Sequence, residues 1–344
     1  MTSNEELEPI TPEGALDYYC DARRGELAQA TLRDHRYRIQ TFTEWCRSEG
    51  INNLNDLDLR DIHRWRVWKR EDNGENDPCN ASTMHGQVST LRTFLRRVSE
   101  IGGVRRRVAE NIRVPTVGKD ERSDDTKIIP DRAHAILGWL RTYEYASHRH
   151  VTALLMWRIP LRRGTIRALD VEDWVPEEQL LLARHRPPET PLKNGAGGER
   201  DINIADDVAE VLTDYVANNR PTETEEAGRE ALVVGRQGRP AVSTIQRWAY
   251  QISRPCEIGE ACPHDEDPAS CEATAYNGAS KCPSSRSPHQ WRTGSITAHR
   301  TAGTPREVLS DRADASRRVL SEHYDKAGSR EKARRRKEHL PKSL

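Results

Sequence analysis

The chain has 344 residues, of which 54 are basic and 54 acidic, so its formal net charge is zero. This length is enough for two domains with separate cores. No run of 18 apolar residues and no signal-like opening segment occurs, which excludes a membrane helix and predicts a soluble, cytoplasmic protein. Zero net charge first argues against a nucleic-acid partner. Only nine basic residues are lysine, however, and the arginines recur in groups suited to gripping phosphate.

The first third of the chain carries the apolar periodicity of helices. Residues 1–10 are acidic and polar, and we predict a disordered lead-in there. Four helices are predicted: one after Thr11-Pro12-Glu13, and others over 31–50, 57–69 and 82–101. They predict a compact helical domain over 11–112. Its candidate DNA-binding residues, which could equally form an ordinary solvated surface, are Arg92, Arg96, Arg97, Arg105, Arg106 and Arg107.

Residues 113–127 are charged and aperiodic, which predicts a linker. A second domain follows over 128–330, ahead of a basic tail at 331–344. Its predicted elements are helices from Pro130 and near 150–158, strands over 179–186 and 200–204, and helices over 208–216 and 242–252. Between the two strands, Asn-Gly and Gly-Gly pairs predict a hairpin tip.

Five residues of this second domain fit phosphoryl-transfer chemistry. His289 and Arg292 are three apart, so on a helix they share a face. Arg162 and Arg292 could clamp the oxygens of a phosphodiester as charge builds on them. Tyr324, the only tyrosine after Arg292, could attack the phosphorus, with His289 assisting its proton and Lys193 protonating the departing 5′ oxygen. Taken singly, each of these residues is more often a packing or surface residue.

In order along the chain, the motifs are PLRRG (Arg162), TPLKNG (Lys193), PHQWR (His289 and Arg292) and EHYD (Tyr324). This series resembles the tyrosine recombinase, or phage integrase, family of XerC/XerD-like proteins. The resemblance implies a mainly α fold: an all-α core-binding (SAM-like) domain, then a mixed α+β catalytic domain with a small β-sheet. It also implies DNA cleavage and rejoining through a 3′-phosphotyrosyl intermediate, without a cofactor. The implied partners are double-stranded DNA and further copies of the chain, as a tetramer on paired sites, with no membrane.

Two departures from the family pattern leave alternatives open. The family usually has an acidic residue three positions after its first arginine, where this chain has Thr165. It usually has Leu-Gly-His before the nucleophile, where this chain reads Leu309-Ser310-Asp311-Arg312, so Arg312 is a candidate for the missing phosphate contact. The alternatives are a DNA-binding protein of this fold that has lost catalysis, and a DNA-relaxing enzyme resembling type IB topoisomerases.

The chain has seven cysteines, and without an export signal we expect no disulfides. Four of them crowd into an insertion over 256–282: Cys256, Cys262, Cys271 and Cys282. Their spacing lacks the tight pair that is usual in zinc sites. One structural zinc ion, bound by all four or by three with His264, would order this loop. The alternative is a set of reduced thiols.

Overall fold

The computed structural model describes residues 6–71, 79–118, 126–222 and 228–320, with 328, 330 and 333 as single residues beyond them. The chain divides into two compact units, Met1–Asp124 and Asp125–Leu344, each with its own core. Helices dominate both, and the second unit contains a small antiparallel sheet, so the predicted fold class is confirmed. The boundaries predicted at 112 and 128 stay predictions. No helix in the described ranges is long and apolar enough to span a membrane.

The helices of the first unit are α1 Pro12–Ala22, α2 Gln29–Ser48, α3 Leu59–Arg70, α4 Ala81–Ser99 and α5 Arg106–Glu110. Thr11 caps α1 by accepting a hydrogen bond from the Gly14 amide at 3.1 Å, as the sequence pattern predicts. All four predicted helices are confirmed. The short α5 was not predicted. It forms because Val108 and Ala109 are buried in the core of this unit, which leaves its arginines facing outward.

Aromatic side chains fill the core of the first unit. Phe42 meets Trp65 edge-on at 5.6 Å between ring centroids, and Tyr19 meets Phe94 in the same way. The six candidate DNA-binding arginines all lie outside this core, partly or fully exposed. Arg97 forms a salt bridge with Glu100 at 2.6 Å.

The second unit contains a three-stranded antiparallel sheet in the order β1–β2–β3. Its strands are β1 Trp174–Val175, β2 Leu180–Ala183 and β3 Arg200–Asn203. Its helices are α6 Pro130–Tyr143, α7 His148–Trp157, α8 Arg163–Ala168, α9 Asp206–Asp214, α10 Val242–Ile252, α11 Pro288–Thr301, α12 Arg306–Ala313 and α13 Arg317–Val319. The predicted helices and hairpin are confirmed, and β1 is an addition too short for its pattern to be recognised.

Close packing fixes the position of α11 in the second unit. A Cβ added at Gly294 would lie 2.2 Å from the Ile128 carbonyl oxygen, so only glycine lets the helix approach this closely. The Ser295 hydroxyl also donates to the Trp157 carbonyl at 2.5 Å. These contacts hold α11 against the start of the unit and against the end of α7.

A buried carboxylate fixes the C-terminal end of α8. Asp170 is 1% exposed and accepts hydrogen bonds from Arg229 at 2.9 and 3.0 Å and from Arg239 at 2.5 Å. Arg186 completes the group at 3.2 Å. A buried charge is tolerated when it is paired and hydrogen-bonded in this way. The short helix that begins after Arg162 is therefore anchored at its far end.

Candidate active site

The first turn of α11 is set by a capping box. The Ser287 hydroxyl accepts a hydrogen bond from the Gln290 amide at 3.3 Å, and the Gln290 side chain accepts one from the Ser287 amide at 2.8 Å. His289 lies exposed in this turn, while Arg292, one turn later, is only 2% exposed. The predicted pair is therefore on one helix, with the arginine directed into the protein and the histidine toward solvent.

Two of the predicted arginines meet at the end of α12. Arg292 donates to the carbonyl oxygen of Ala313 at 2.6 Å and also to that of Pro160. Arg162 occupies the N-cap of α8, and its Nη1 contacts Oδ2 of Asp314 at 2.5 Å. The side chain of Arg162 is 24% exposed. These two guanidinium groups, 130 positions apart in sequence, thus contact neighbouring residues.

A third guanidinium group, from Arg200 at the start of β3, joins them. Its Nε donates to the Arg312 carbonyl at 3.1 Å and its Nη1 to the Gly198 carbonyl at 2.7 Å. Its Nη2 is buried, and the part of the chain that the structure describes offers it no hydrogen-bond partner. Burial lowers the pKa of Arg200, and this effect is opposed by Asp314 and reinforced by Arg162. We call Arg162, Arg200 and Arg292 the arginine cluster.

The hairpin between β2 and β3 also reaches this place. Lys193 is exposed in the connection between the two strands, and the next residue, Asn194, donates to Oδ1 of Asp314 at 2.8 Å. Lys193 is thus adjacent in sequence to Asn194, whose side chain contacts Asp314, the carboxylate that pairs with Arg162. Its predicted position in the hairpin is what the structure shows.

Three residues singled out from the sequence remain: Arg312, Thr165 and Tyr324. Arg312 directs its guanidinium at the Asn203 carbonyl, 2.8 Å away, and burial, reinforced by Arg158, lowers its pKa. Its carbonyl oxygen, rather than its guanidinium, contacts the arginine cluster, so its phosphate contact stays a prediction. Thr165 is buried in α8. Tyr324 lies outside the described residues, and the chain is last described continuously at Leu320, which is 1% exposed.

Sequence reasoning missed three residues of this site: Asn194, Arg200 and Asp314. Asn194 lies in the predicted hairpin tip and Arg200 begins a predicted strand, but no motif marks either one. The bond from Arg162 to Asp314 joins positions 152 apart, so no local periodicity could reveal it. Together Arg162, Arg200 and Arg292 bring guanidinium N–H donors to one short segment of the chain, an arrangement suited to bind an anion such as phosphate.

The four cysteines of the 256–282 insertion line the same cavity without forming a metal site. All four are free and, with His264, line one cavity of about 320 Å³. Burial raises the pKa of the Cys256 thiol; Arg254 opposes this and Cys282 adds to it. Among the described residues, no group of three or more His, Cys, Asp or Glu side chains could hold a metal ion. The arrangement therefore gives the predicted zinc site no support.

Comparisons with known proteins bear on the family resemblance. Residues 21–98 match the model of the phage integrase N-terminal SAM-like domain. A search of curated proteins finds no match. Among solved structures, the Tn1549 transposon integrase in complex with a circular intermediate DNA is 14% identical, with a TM-score of 0.65, over 95% of this chain and 99% of that one.

Lambda integrase bound to DNA is a second structural match, again 14% identical, with a TM-score of 0.55. The match covers 87% of this chain and 90% of that one. At 14% identity, the similarity to these two solved structures shows the fold alone. The similarity in sequence is the match of residues 21–98 to the domain model. The predicted resemblance is therefore confirmed: residues 21–98 match the N-terminal domain of the phage integrases, and the chain has the fold of the transposon and lambda integrases.

Proposed function

We propose that this chain is a site-specific DNA recombinase that cleaves and rejoins strands through a 3′-phosphotyrosyl intermediate. The Tyr324 oxygen attacks the scissile phosphorus, a new P–O bond forms, and the bond to the 5′ oxygen breaks. The tyrosine proton passes to His289 or to water, and Lys193 supplies a proton to the departing 5′ oxygen. Attack by a 5′ hydroxyl reverses these steps and rejoins the strand, so no external energy source is needed.

The observation that carries this proposal is the arginine cluster. Three guanidinium groups contact three consecutive residues, Arg312, Ala313 and Asp314. One of the three contacted groups, the side chain of Asp314, is a carboxylate. The described contacts of Arg200 and Arg292 are with backbone carbonyl oxygens. Guanidinium groups held close together in this way are suited to bind an anion. A phosphodiester would supply that anion, and its charge grows in the transition state, where fixed donors stabilise it most.

The chain connection limits how far Tyr324 can lie from α12. Leu320 packs with Leu309 and Ala313 in a small core around α12. Tyr324 follows it by four residues, and four residues of chain can span at most about 14 Å. This covalent bound supports Tyr324 as the attacking group, whereas the exposed Tyr143, on α6, has no such tie to α12.

We further propose that duplex DNA is the partner and that four copies act on two paired sites. A lambda integrase dimer bound to a core site has a similar fold, with a TM-score of 0.56 at 12% identity. Loss of catalysis and topoisomerase-like relaxation are the two competing outcomes.

A library of nicked duplexes with randomised cores tests the proposed function. With a nick beside the cleaved bond, the short fragment that carries the freed 5′ hydroxyl diffuses away. The strand cannot then be rejoined, and the covalent complex is trapped. We expect denaturant-resistant protein–DNA adducts whose selected sequences converge on one site. Two such sites should then yield joint molecules. Binding without adducts would establish a protein that has lost catalysis, and adducts without joint molecules would favour a relaxing enzyme.

The outward arginines of the first unit predict a steep salt dependence of DNA binding. Changing Arg105, Arg106 and Arg107 together to alanine should weaken binding to all sequences alike. It should flatten the slope of log affinity against log salt by up to about three units, because each phosphate contact contributes about 0.9. Titrations by gel shift measure both quantities.

A matched control for this triple variant comes from the same unit. Arg24, Arg47 and Arg64 are exposed too, and each is paired with a carboxylate. Their joint change to alanine should leave the slope nearly unaltered. If the variant without Arg105, Arg106 and Arg107 has the same salt slope as the wild type, these three arginines do not contact DNA.

We propose separately that the four thiols of the insertion can close on one zinc ion. They line one cavity with His264. As they stand, these described residues form no group that could hold a metal ion. Binding would require the side chains to converge further and the thiols to lose their protons. Metal analysis of purified protein should give about one zinc per chain, and Cys271→Ser should lower it. Folded, active protein without metal would end this proposal.

A further inference from the structure

Asp314 is held in an unusual backbone conformation beside the arginine cluster. It follows the last residue of α12 with φ 51° and ψ 55°, the left-handed region that aspartate and asparagine tolerate better than most residues. Its side chain is 12% exposed. One oxygen accepts from Arg162 at 2.5 Å and the other from Asn194 at 2.8 Å. A single carboxylate thus joins the start of α8 to the hairpin that carries Lys193.

The backbone that carries this carboxylate is fixed independently of those two partners. Arg292 binds the preceding carbonyl, of Ala313, and Arg200 binds the one before it, of Arg312. The Asp314 amide donates to the Asp311 carbonyl at 3.2 Å, and the flanking Ala313 and Ala315 are buried. A carboxylate on such a frame is suited to orient a partner, whereas one that gives way to an incoming phosphate would need freedom to move.

The contact leaves most of Arg162 available. A guanidinium group has five N–H donors, and the hydrogen bond to Asp314 uses one of them. The side chain remains 24% exposed, so its other donors can meet an anion from solvent. In this chain the position three residues after Arg162 is Thr165, which cannot supply a negative charge. The carboxylate at Arg162 comes instead from a position 152 residues later.

We propose that Asp314 is the positioning residue of Arg162, holding its guanidinium in the orientation that grips the scissile phosphate. This inference rests on the proposed function, because it assigns a role in that reaction. Asp314 acts through Arg162 and does not itself touch the reacting atoms. It also partly neutralises the charge of the arginine cluster before DNA binds.

Asp314→Asn tests the charge, since asparagine is nearly the same size and tolerates the left-handed conformation. At saturating DNA, we expect the single-turnover rate of cleavage to fall about 10- to 100-fold, the effect of a small misplacement of a catalytic group. Affinity for DNA should not fall. The control is Glu307→Gln, an exposed carboxylate on the same helix that pairs with Arg317 at 3.5 Å. It should cleave at the wild-type rate.

A double variant separates positioning from folding. If Asp314 acts through Arg162, then Asp314→Asn should cost much less in an Arg162→Lys background than in the wild type. Additive losses, or a melting temperature lowered in proportion to activity, would mean a structural role and overturn the proposal. Faster cleavage with tighter binding in Asp314→Asn would also overturn it, by showing a placeholder that phosphate displaces. Absence of any wild-type adduct would instead refute the proposed function itself.

Discussion

Tyr324→Phe should abolish covalent attachment to DNA and leave binding nearly unchanged. The substitution removes one hydroxyl, the proposed nucleophile, while the arginine cluster that we propose binds the phosphate stays complete. A gel shift measures binding, and a denaturing gel beside it measures adducts. No rescue by neighbouring groups is expected, because no other tyrosine follows Arg292 in the sequence.

The matched control for this variant is Tyr143→Phe. Tyr143 is 71% exposed at the end of α6 and packs against Trp139 at 5.4 Å between ring centroids. Its hydroxyl has no role in the proposed reaction, so adduct yield should equal that of the wild type. Adducts that persist in Tyr324→Phe would show that the nucleophile is another residue.

Arg162→Ala should separate transition-state binding from ground-state binding. Removing a donor that meets growing charge typically costs about 10²- to 10³-fold in rate. We expect a loss of this size in single-turnover cleavage, with a small loss in affinity and a salt slope lowered by at most about one phosphate contact. The fold should survive, because Arg162 is partly exposed and Asn194 still hydrogen-bonds Asp314.

An arginine of the same unit provides the control for Arg162→Ala. Arg141 lies on α6, is 53% exposed, and pairs with Glu210 at 3.3 Å. Exposed pairs of this kind contribute little to stability. Arg141→Ala should therefore change neither cleavage nor salt slope. Equal losses in rate and affinity for Arg162→Ala would contradict its assignment as a residue that acts mainly in the transition state.

The helices could be predicted from the sequence because their signals are local. Thr11 and Pro12 mark the start of α1, and the apolar stripe over 242–252 gives both ends of α10 as observed. The His-x-x-Arg pair likewise lies on the helix that its spacing predicts. By contrast, α5 has five residues and β1 has two, which is too short for a recognisable period.

The candidate active site was predictable only where its residues belong to motifs. Arg162, Lys193, His289 and Arg292 are marked by motifs, although the motifs do not reveal that Arg292 is buried while His289 is exposed. Asp314 was not predictable, because its importance comes from contacts with residues 120 and 152 positions away. The sequence around Arg312 suggested the guanidinium as the phosphate ligand, whereas the structure places its carbonyl oxygen at the arginine cluster.

The most direct test of this account is mass spectrometry of the trapped protein–DNA adduct. After digestion with protease and nuclease, we expect one modified peptide, with the nucleotide joined through its 3′ phosphate to the oxygen of Tyr324. Attachment to any other residue, or through a 5′ phosphate, would contradict the proposed mechanism.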